Sequence, residues 1–197
     1  MTDRPSSDPS NGYDAIVETY VNARSSTGRA LVEAWAATIR PGADILDLGA
    51  GTGEPITSAL IDAAFRVSAL DASPAMVARF RKRFPETPIV CEPVESSAFF
   101  DQKFDAVVAI GLIFLLKAPA QIALLHRVSA ALKPGGRFLF SAPVEIGTWD
   151  DVLTGQISQS LGRSAYISAL NEAGFERIES RHDEGGSHYY DAHKSLA

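Results

Sequence analysis

Apolar positions along this chain alternate between two rhythms. Short runs rich in β-branched and aromatic residues, such as Ile45-Leu46-Asp47-Leu48 and Phe104-Asp105-Ala106-Val107-Val108-Ala109-Ile110, are separated by stretches with helical spacing. Residues 13–40 read as mostly helical, with Tyr13, Val17, Tyr20, Leu31, Trp35 and Ile39 on an apolar stripe, and Pro41-Gly42 ends that stretch. A strand at 43–48, a helix at 55–64, a strand at 66–71, a helix at 74–84 and a short strand near 88–92 follow. Met76, Phe80 and Phe84, four apart, give the 74–84 helix a core-facing side. A strand at 104–110 precedes a helix at 119–132, which Lys133-Pro134-Gly135-Gly136 stops before a strand at 137–142. Ser164 is placed to cap a helix through Ala173 that Gly174 ends, and 175–180 and 188–192 read as two last strands. Strands alternating with helices predict a parallel sheet covered on both faces.

Chemistry concentrates where the first two strands end. The first runs into Asp47-Leu48-Gly49-Ala50-Gly51-Thr52-Gly53, and Pro55 suits the first turn of the helix beyond. Glycines there let a ligand approach the backbone, because no Cβ intervenes and positive φ is accessible. The second strand, Phe65-Arg66-Val67-Ser68-Ala69-Leu70-Asp71, ends in an acid about 20 residues beyond the glycines, where a ribose-binding carboxylate is expected. Ser73 then serves as N-cap and Pro74 as first residue of the next helix. A dinucleotide fingerprint needs G-x-G-x-x-G; here Glu54 and Ile56 stand where its third glycine would fall.

D-x-G-x-G-x-G followed by D-x-S-x-x-M resembles the class I S-adenosylmethionine-dependent methyltransferases, small-molecule type. The F-D-x-V-V strand and L-K-P-G-G-x-F-L-F resemble that family's fourth and fifth strands, and the resemblance covers roughly residues 13–192. It implies a Rossmann-like, doubly wound α/β fold with seven strands in the order 3-2-1-4-5-7-6 and an antiparallel last strand. It also implies an enzyme with S-adenosylmethionine as cofactor. By that resemblance Gly49, Ala50 and Gly51 pass under the methionine and ribose, Asp47 receives the α-amino group directly or through water, and Asp71 accepts the ribose hydroxyls. Ala72 and Met76 would flank the adenine. Family members often carry Asp and a small residue after strand three. This chain departs with Pro93-Val94-Glu95, leaving the Val94 N–H for the ring nitrogen and Glu92 or Glu95 for the amino group. Tyr13-Asp14-(x)5-Tyr20-(x)3-Arg24 resembles a lid helix of such enzymes, with Tyr20 and Arg24 meeting the cofactor carboxylate, where a guanidinium fits well. Ile110 would close the cofactor site after strand four.

Composition narrows the substrate. At 197 residues the chain is expected to be one domain, 12–197 with a lid over 13–40, behind a disordered lead-in at 1–11. Its 18 Lys and Arg against 24 Asp and Glu give a net charge of −6, which does not favour a nucleic-acid partner. The run Arg79, Arg81, Lys82, Arg83 lies in the last turns of a helix, where cations suit the macrodipole. One cysteine, Cys91, and four scattered histidines give no metal-binding spacing, so no metal is expected. No apolar run approaches the roughly 20 residues of a membrane span, and the N-terminus lacks a signal-peptide core, so a cytoplasmic location is expected. Oligomeric state is not readable.

After strand four, Ala109-Ile110-Gly111-Leu112-Ile113-Phe114-Leu115-Leu116 lacks the [DNS]-P-P-[YF] element of DNA amino-methyltransferases and gives an apolar wall. The expected partner is therefore a small molecule, framed by Tyr13, Trp149, His188 and Tyr190. If the acceptor is a hydroxyl, His188 is the candidate general base, its ordinary pKa being nearest neutrality. Strand alternation puts His188 and Tyr190 on one face and Tyr189 on the other. The alternatives are a nucleic-acid or protein methyltransferase on the same fold, an NAD-binding oxidoreductase, and a cofactor-binding regulator without catalysis.

Overall fold

The computed structural model describes residues 8–196. Seven strands form one sheet in the order β3-β2-β1-β4-β5-β9-β8. They are β1 (Asp44–Leu48), β2 (Arg66–Asp71), β3 (Ile89–Cys91), β4 (Phe104–Ala109), β5 (Leu132–Ser141), β8 (Phe175–His182) and β9 (His188–Lys194). The first five pair in parallel, and β9 runs antiparallel between β5 and β8. This is the implied order, its last two numbers shifted by a separate hairpin of β6 (Ile146–Asp150) and β7 (Ile157–Leu161).

Alternation along each central strand fills both faces. Leu46, Val107, Phe138, Phe140 and Tyr190 pack on one side with α5 (Ala118–Ala131) and α6 (Arg163–Glu172). Ile45, Val67, Ala106, Val108, Leu139 and Tyr189 pack on the other with α2 (Arg29–Ala36) and α3 (Ile56–Asp62). Burial on both faces is what a parallel sheet under helices requires. The helix α4 (Pro74–Arg83) begins as expected, with the Ser73 hydroxyl accepting from the Met76 N–H at 3.1 Å. Its basic run is engaged locally: Arg79 pairs with Glu18, Arg83 with Glu54, and Arg81 donates to the Ile89 carbonyl.

Four local expectations are corrected. The 13–40 stretch is not one helix but a 3-10 turn (Tyr13–Ile16), α1 (Val17–Ala23) and α2, separated at residues 24–28. Ser25 and Thr27 bond to each other there, which competes with helix formation. Gly28 at φ +85° passes under the Tyr189 hydroxyl, 2.6 Å from where a Cβ would lie. Pro55 caps α3 rather than opening it, and Gly162, not Ser164, precedes α6. The β6–β7 hairpin falls between the expected strand at 137–142 and the expected helix from Ser164, where the sequence pattern predicts no element. Of the lead-in expected at 1–11, residues 1–7 lie outside the described residues. Residues 8–12 form a turn in which the Asp8 carboxylate accepts from the Ser10 and Gly12 N–H groups at 2.9 and 3.0 Å. No helix among the described residues is long and apolar enough to cross a membrane.

Candidate active site

Parallel strands point their carboxyl ends toward one edge of the sheet, where open α/β folds bind ligands. Two cavities open there, about 580 and 770 Å³, within the range of small-molecule sites. Residues at or just past the strand ends line them: Gly49, Asp71 and Ile110 the first, Ile110 and Ser141 the second. They share Tyr13, Arg24, Ile110, Gly111, Phe114, Asp151 and Leu153, so the second continues the first.

The floor of the first cavity is the glycine turn. The N–H groups of Gly49 and Ala50 both donate to the Leu70 carbonyl, at 2.9 and 3.0 Å, binding the turn to β2. Gly51 has φ +57°, and a Cβ there would sit 3.3 Å from the Tyr20 hydroxyl. Its N–H donates to Asp71 Oδ2 at 2.8 Å, and the Ser73 N–H donates to Oδ1 at 2.8 Å. Each Asp71 oxygen thus keeps a second lone pair, and the residue lines the cavity. Burial raises the Asp71 pKa, against the pull of those two donors.

Asp47 lies one layer deeper. It lines neither cavity and accepts from Thr57 Oγ1 at 2.5 Å. Burial pushes its pKa up to about 7, with Asp71 adding to the rise and Thr57 opposing it. Ala50 also falls outside the lining; Ala72 and Met76 lie within it. At the far wall, Val94 and the exposed Glu95 line the cavity and Glu92 does not. Arg127 holds this turn by donating to the Val94 and Ser97 carbonyls while lying over Phe99.

The N-terminal segment covers the first cavity as a strap. Asp14 Oδ1 accepts from Ser73 Oγ at 2.7 Å and from the Ala75 N–H at 2.8 Å, fastening the strap to the start of α4. Tyr20 and Arg24 line the cavity from this side, and Arg24 Nε donates to the Glu54 carbonyl at 3.4 Å. Asp14 stood in the expected motif without a role. Its position opposite a helix start is tertiary information.

His188, Trp149 and Tyr13 line the second cavity. The Trp149 ring lies 5.6 Å from that of Phe114. His188 Nδ1 is 3.3 Å from the Ala142 carbonyl; a carbonyl only accepts, so Nδ1 carries the hydrogen. Nε2 is then the lone-pair nitrogen, and it is buried with no hydrogen-bond partner. Burial lowers the His188 pKa below 6.5, and nearby His182 lowers it further.

Tyr190 is a correction. It is buried outside both cavities, stacked on Phe140 at 4.8 Å and edge-on to His188 at 4.4 Å. Burial pushes its pKa up to about 12. Tyr189 lines the second cavity instead, donating its hydroxyl to Asp183 at 2.9 Å. Alternation is obeyed, but the cavity lies at the start of β9 and is reached from the Tyr189 face as well. Asp151, in the Trp149-Asp150-Asp151 stretch after strand five, lines both cavities, as does Leu153, which the sequence pattern does not single out. Thr154-Gly155 between two alternating segments was the available hairpin signal.

A family model described as a methyltransferase domain matches residues 45–136. A demethylmenaquinone methyltransferase of Beutenbergia cavernae is 37% identical over 108 residues, covering 53% of this chain and 43% of that protein. The chain spans about half the length of the demethylmenaquinone methyltransferases it matches. An uncharacterized methyltransferase of Synechocystis sp. is 31% identical over 164 residues, covering 76% of this chain and 74% of that protein. Among solved structures, the 1,6-didemethyltoxoflavin-N1-methyltransferase of Burkholderia thailandensis superposes with a TM-score of 0.70 at 22% identity, covering 98% of this chain and 93% of that one. At that identity the likeness concerns the fold.

Proposed function

The chain belongs to the class I S-adenosylmethionine-dependent methyltransferases, and on that premise we propose that it transfers a methyl group from S-adenosylmethionine to a small molecule held in the second cavity. The observation that carries this reading is the junction at Ile110, Gly111 and Phe114, where a cavity floored by the glycine turn and Asp71 meets one lined by His188, Tyr13 and Trp149. The bound cofactor supplies an activated methyl group; the chain's own task is to align the reactants and exclude water. Asp71 receives the two ribose hydroxyls on its free lone pairs. Gly49 and Gly51 admit the ligand to the backbone. Ala72, Met76 and Val94 enclose the adenine, with Glu95 at its amino edge. Tyr20 and Arg24 face the carboxylate of the methionine portion, and Asp47 its ammonium through an intervening group.

In the second cavity His188 Nε2 accepts the proton that the acceptor loses, such as that of a phenolic or enolic hydroxyl. Tyr13 and Trp149 position the acceptor. A phenol or enol suits this site because the aromatic rings of Tyr13, Phe114 and Trp149 line the cavity together with His188. The menaquinone and toxoflavin precursors in the names of the relatives are likewise small molecules. The net charge of −6 disfavours nucleic acid.

Calorimetric titration tests the cofactor reading. S-adenosylhomocysteine should saturate, and NAD should show no saturable binding at the same concentrations. Asp71→Ala should weaken S-adenosylhomocysteine at least about tenfold in a folded protein, since a charge-assisted hydrogen bond contributes roughly 1.5–3 kcal/mol. Unchanged affinity would remove the ribose assignment. Incubation with methyl-labelled cofactor and a metabolite extract should give a labelled small product, and its absence would leave a regulator that binds without turnover.

Asp47 adds a pH dependence. Its carboxyl has an ordinary pKa of 3.8 and one of about 7 in the fold, so its contribution to stability is full below 3.8 and is lost as pH rises through about 7. An ammonium facing it favours the ionised form. Ligand affinity should therefore rise with pH, by up to about tenfold per unit, and level off above about 7. Titrations between about pH 5.5 and 8 measure this, and Asp47→Asn should flatten the profile.

A further inference from the structure

The strap over the first cavity and the β6–β7 loop beside the second belong to opposite ends of the sequence, yet one hydrogen bond joins them. Tyr13 donates its hydroxyl to Asp151 Oδ2 at 3.0 Å across 138 residues, and both side chains line both cavities. The carboxylate is divided between two tasks. Oδ1 accepts from the Leu153 and Thr154 N–H groups and the Thr154 hydroxyl at 2.8–3.0 Å, fixing the loop, and Oδ2 reaches the strap. Burial works to raise the Asp151 pKa, but these donors outweigh it and the acid sits below its usual range. Next to the bond, Gly12 at φ +87° packs against Thr154, where a Cβ would come within 3.2 Å. On the other side, the Tyr13 ring meets Tyr20 edge-on at 5.8 Å, and the Tyr20 hydroxyl covers Gly51.

We propose that Asp151 is a positioning residue: by holding the Tyr13 hydroxyl it latches the strap to the β6–β7 loop, so that closure over the cofactor and completion of the acceptor cavity are one event. The inference rests on the first cavity being the cofactor site. A ligand that holds the strap down through Tyr20 and Arg24 thereby fixes Tyr13, and Tyr13 fixes the wall of the second cavity. Cofactor then binds before acceptor, and its demethylated product leaves only after the latch opens.

S-adenosylhomocysteine is the probe, with its dissociation rate by stopped flow and hydrogen exchange of segments 8–24 and 151–156 as readouts. Tyr13→Phe removes the latch and leaves the bonds within the Asp151 loop. It should speed dissociation about tenfold and abolish ligand-induced protection at 151–156, while protection at 49–72 persists. Asp151→Asn retains an oxygen for the loop and offers an N–H to the Tyr13 oxygen, so its rate should stay within about threefold of wild type. Asp151→Ala combined with Tyr13→Phe should dissociate no faster than Asp151→Ala alone, the non-additivity expected of a shared bond. A wild-type rate with retained loop protection in Tyr13→Phe would overturn the proposal and leave the cofactor reading standing. No saturable S-adenosylhomocysteine binding by the unmodified chain would overturn both.

Discussion

Replacing His188 with alanine is expected to lower turnover by roughly 10²–10⁴-fold while S-adenosylhomocysteine affinity stays within about twofold. The size follows from what the imidazole offers. Its Nδ1–H is committed to the Ala142 carbonyl, which fixes the tautomer, and Nε2 has no other partner. Burial holds the ring neutral at pH 7, since desolvation disfavours the imidazolium, so the acidic limb of the activity profile should fall below pH 6.5. The deficit should shrink at high pH, where the acceptor ionises unaided. A small loss that does not vary with pH would make His188 a positioning residue, and full activity would place the base elsewhere. Tyr190→Phe is the control beneath the ring. Its hydroxyl is buried without a partner, so turnover should be nearly unchanged.

Asp191→Ala should destabilise the fold by about 3–5 kcal/mol, the cost of leaving a buried partner charge uncompensated. Asp191 is fully buried on β9. It accepts from Trp35 Nε1 at 3.0 Å, from Arg137 Nη2 at 2.6 Å and from Arg181 Nε at 2.8 Å. Arg137, nearly buried and lying over the Trp35 ring at 5.2 Å, cannot turn to water when that carboxylate is removed. For a domain of this size each kcal/mol shifts Tm by about 2–4 °C, so a fall of roughly 10 °C is expected in thermal unfolding monitored by circular dichroism. The cluster lies away from both cavities, so S-adenosylhomocysteine binding below the transition should persist. A Tm within about 2 °C of wild type would show that water enters and solvates Arg137.

Sequence alone determined what local chemistry can encode. β2 occupies residues 66–71 as expected, because apolar side chains fill it and an acid and Ser73-Pro74 close it within three residues. The turn at 49–53 and the acid at 71 were legible for the same reason: positive φ and an acidic strand end are properties of single positions. Order within the sheet came from family resemblance, since periodicity says nothing about which strands are neighbours.

Tertiary structure decided the rest. Beyond Arg24 the chain brings Gly28 under the Tyr189 hydroxyl, and Asp14 gains its role because the start of α4 lies opposite. Tyr189 reaches the cavity and Tyr190 does not, because β9 begins at the cavity mouth and runs away from it. Trp35 and Asp191 meet across 156 residues and Tyr13 and Asp151 across 138. Such pairs leave no mark in local pattern, because a hydroxyl or carboxylate has the same sequence neighbours whether it faces water or a distant partner. Their geometry exists only once burial of the two sheet faces has brought the ends of the chain together.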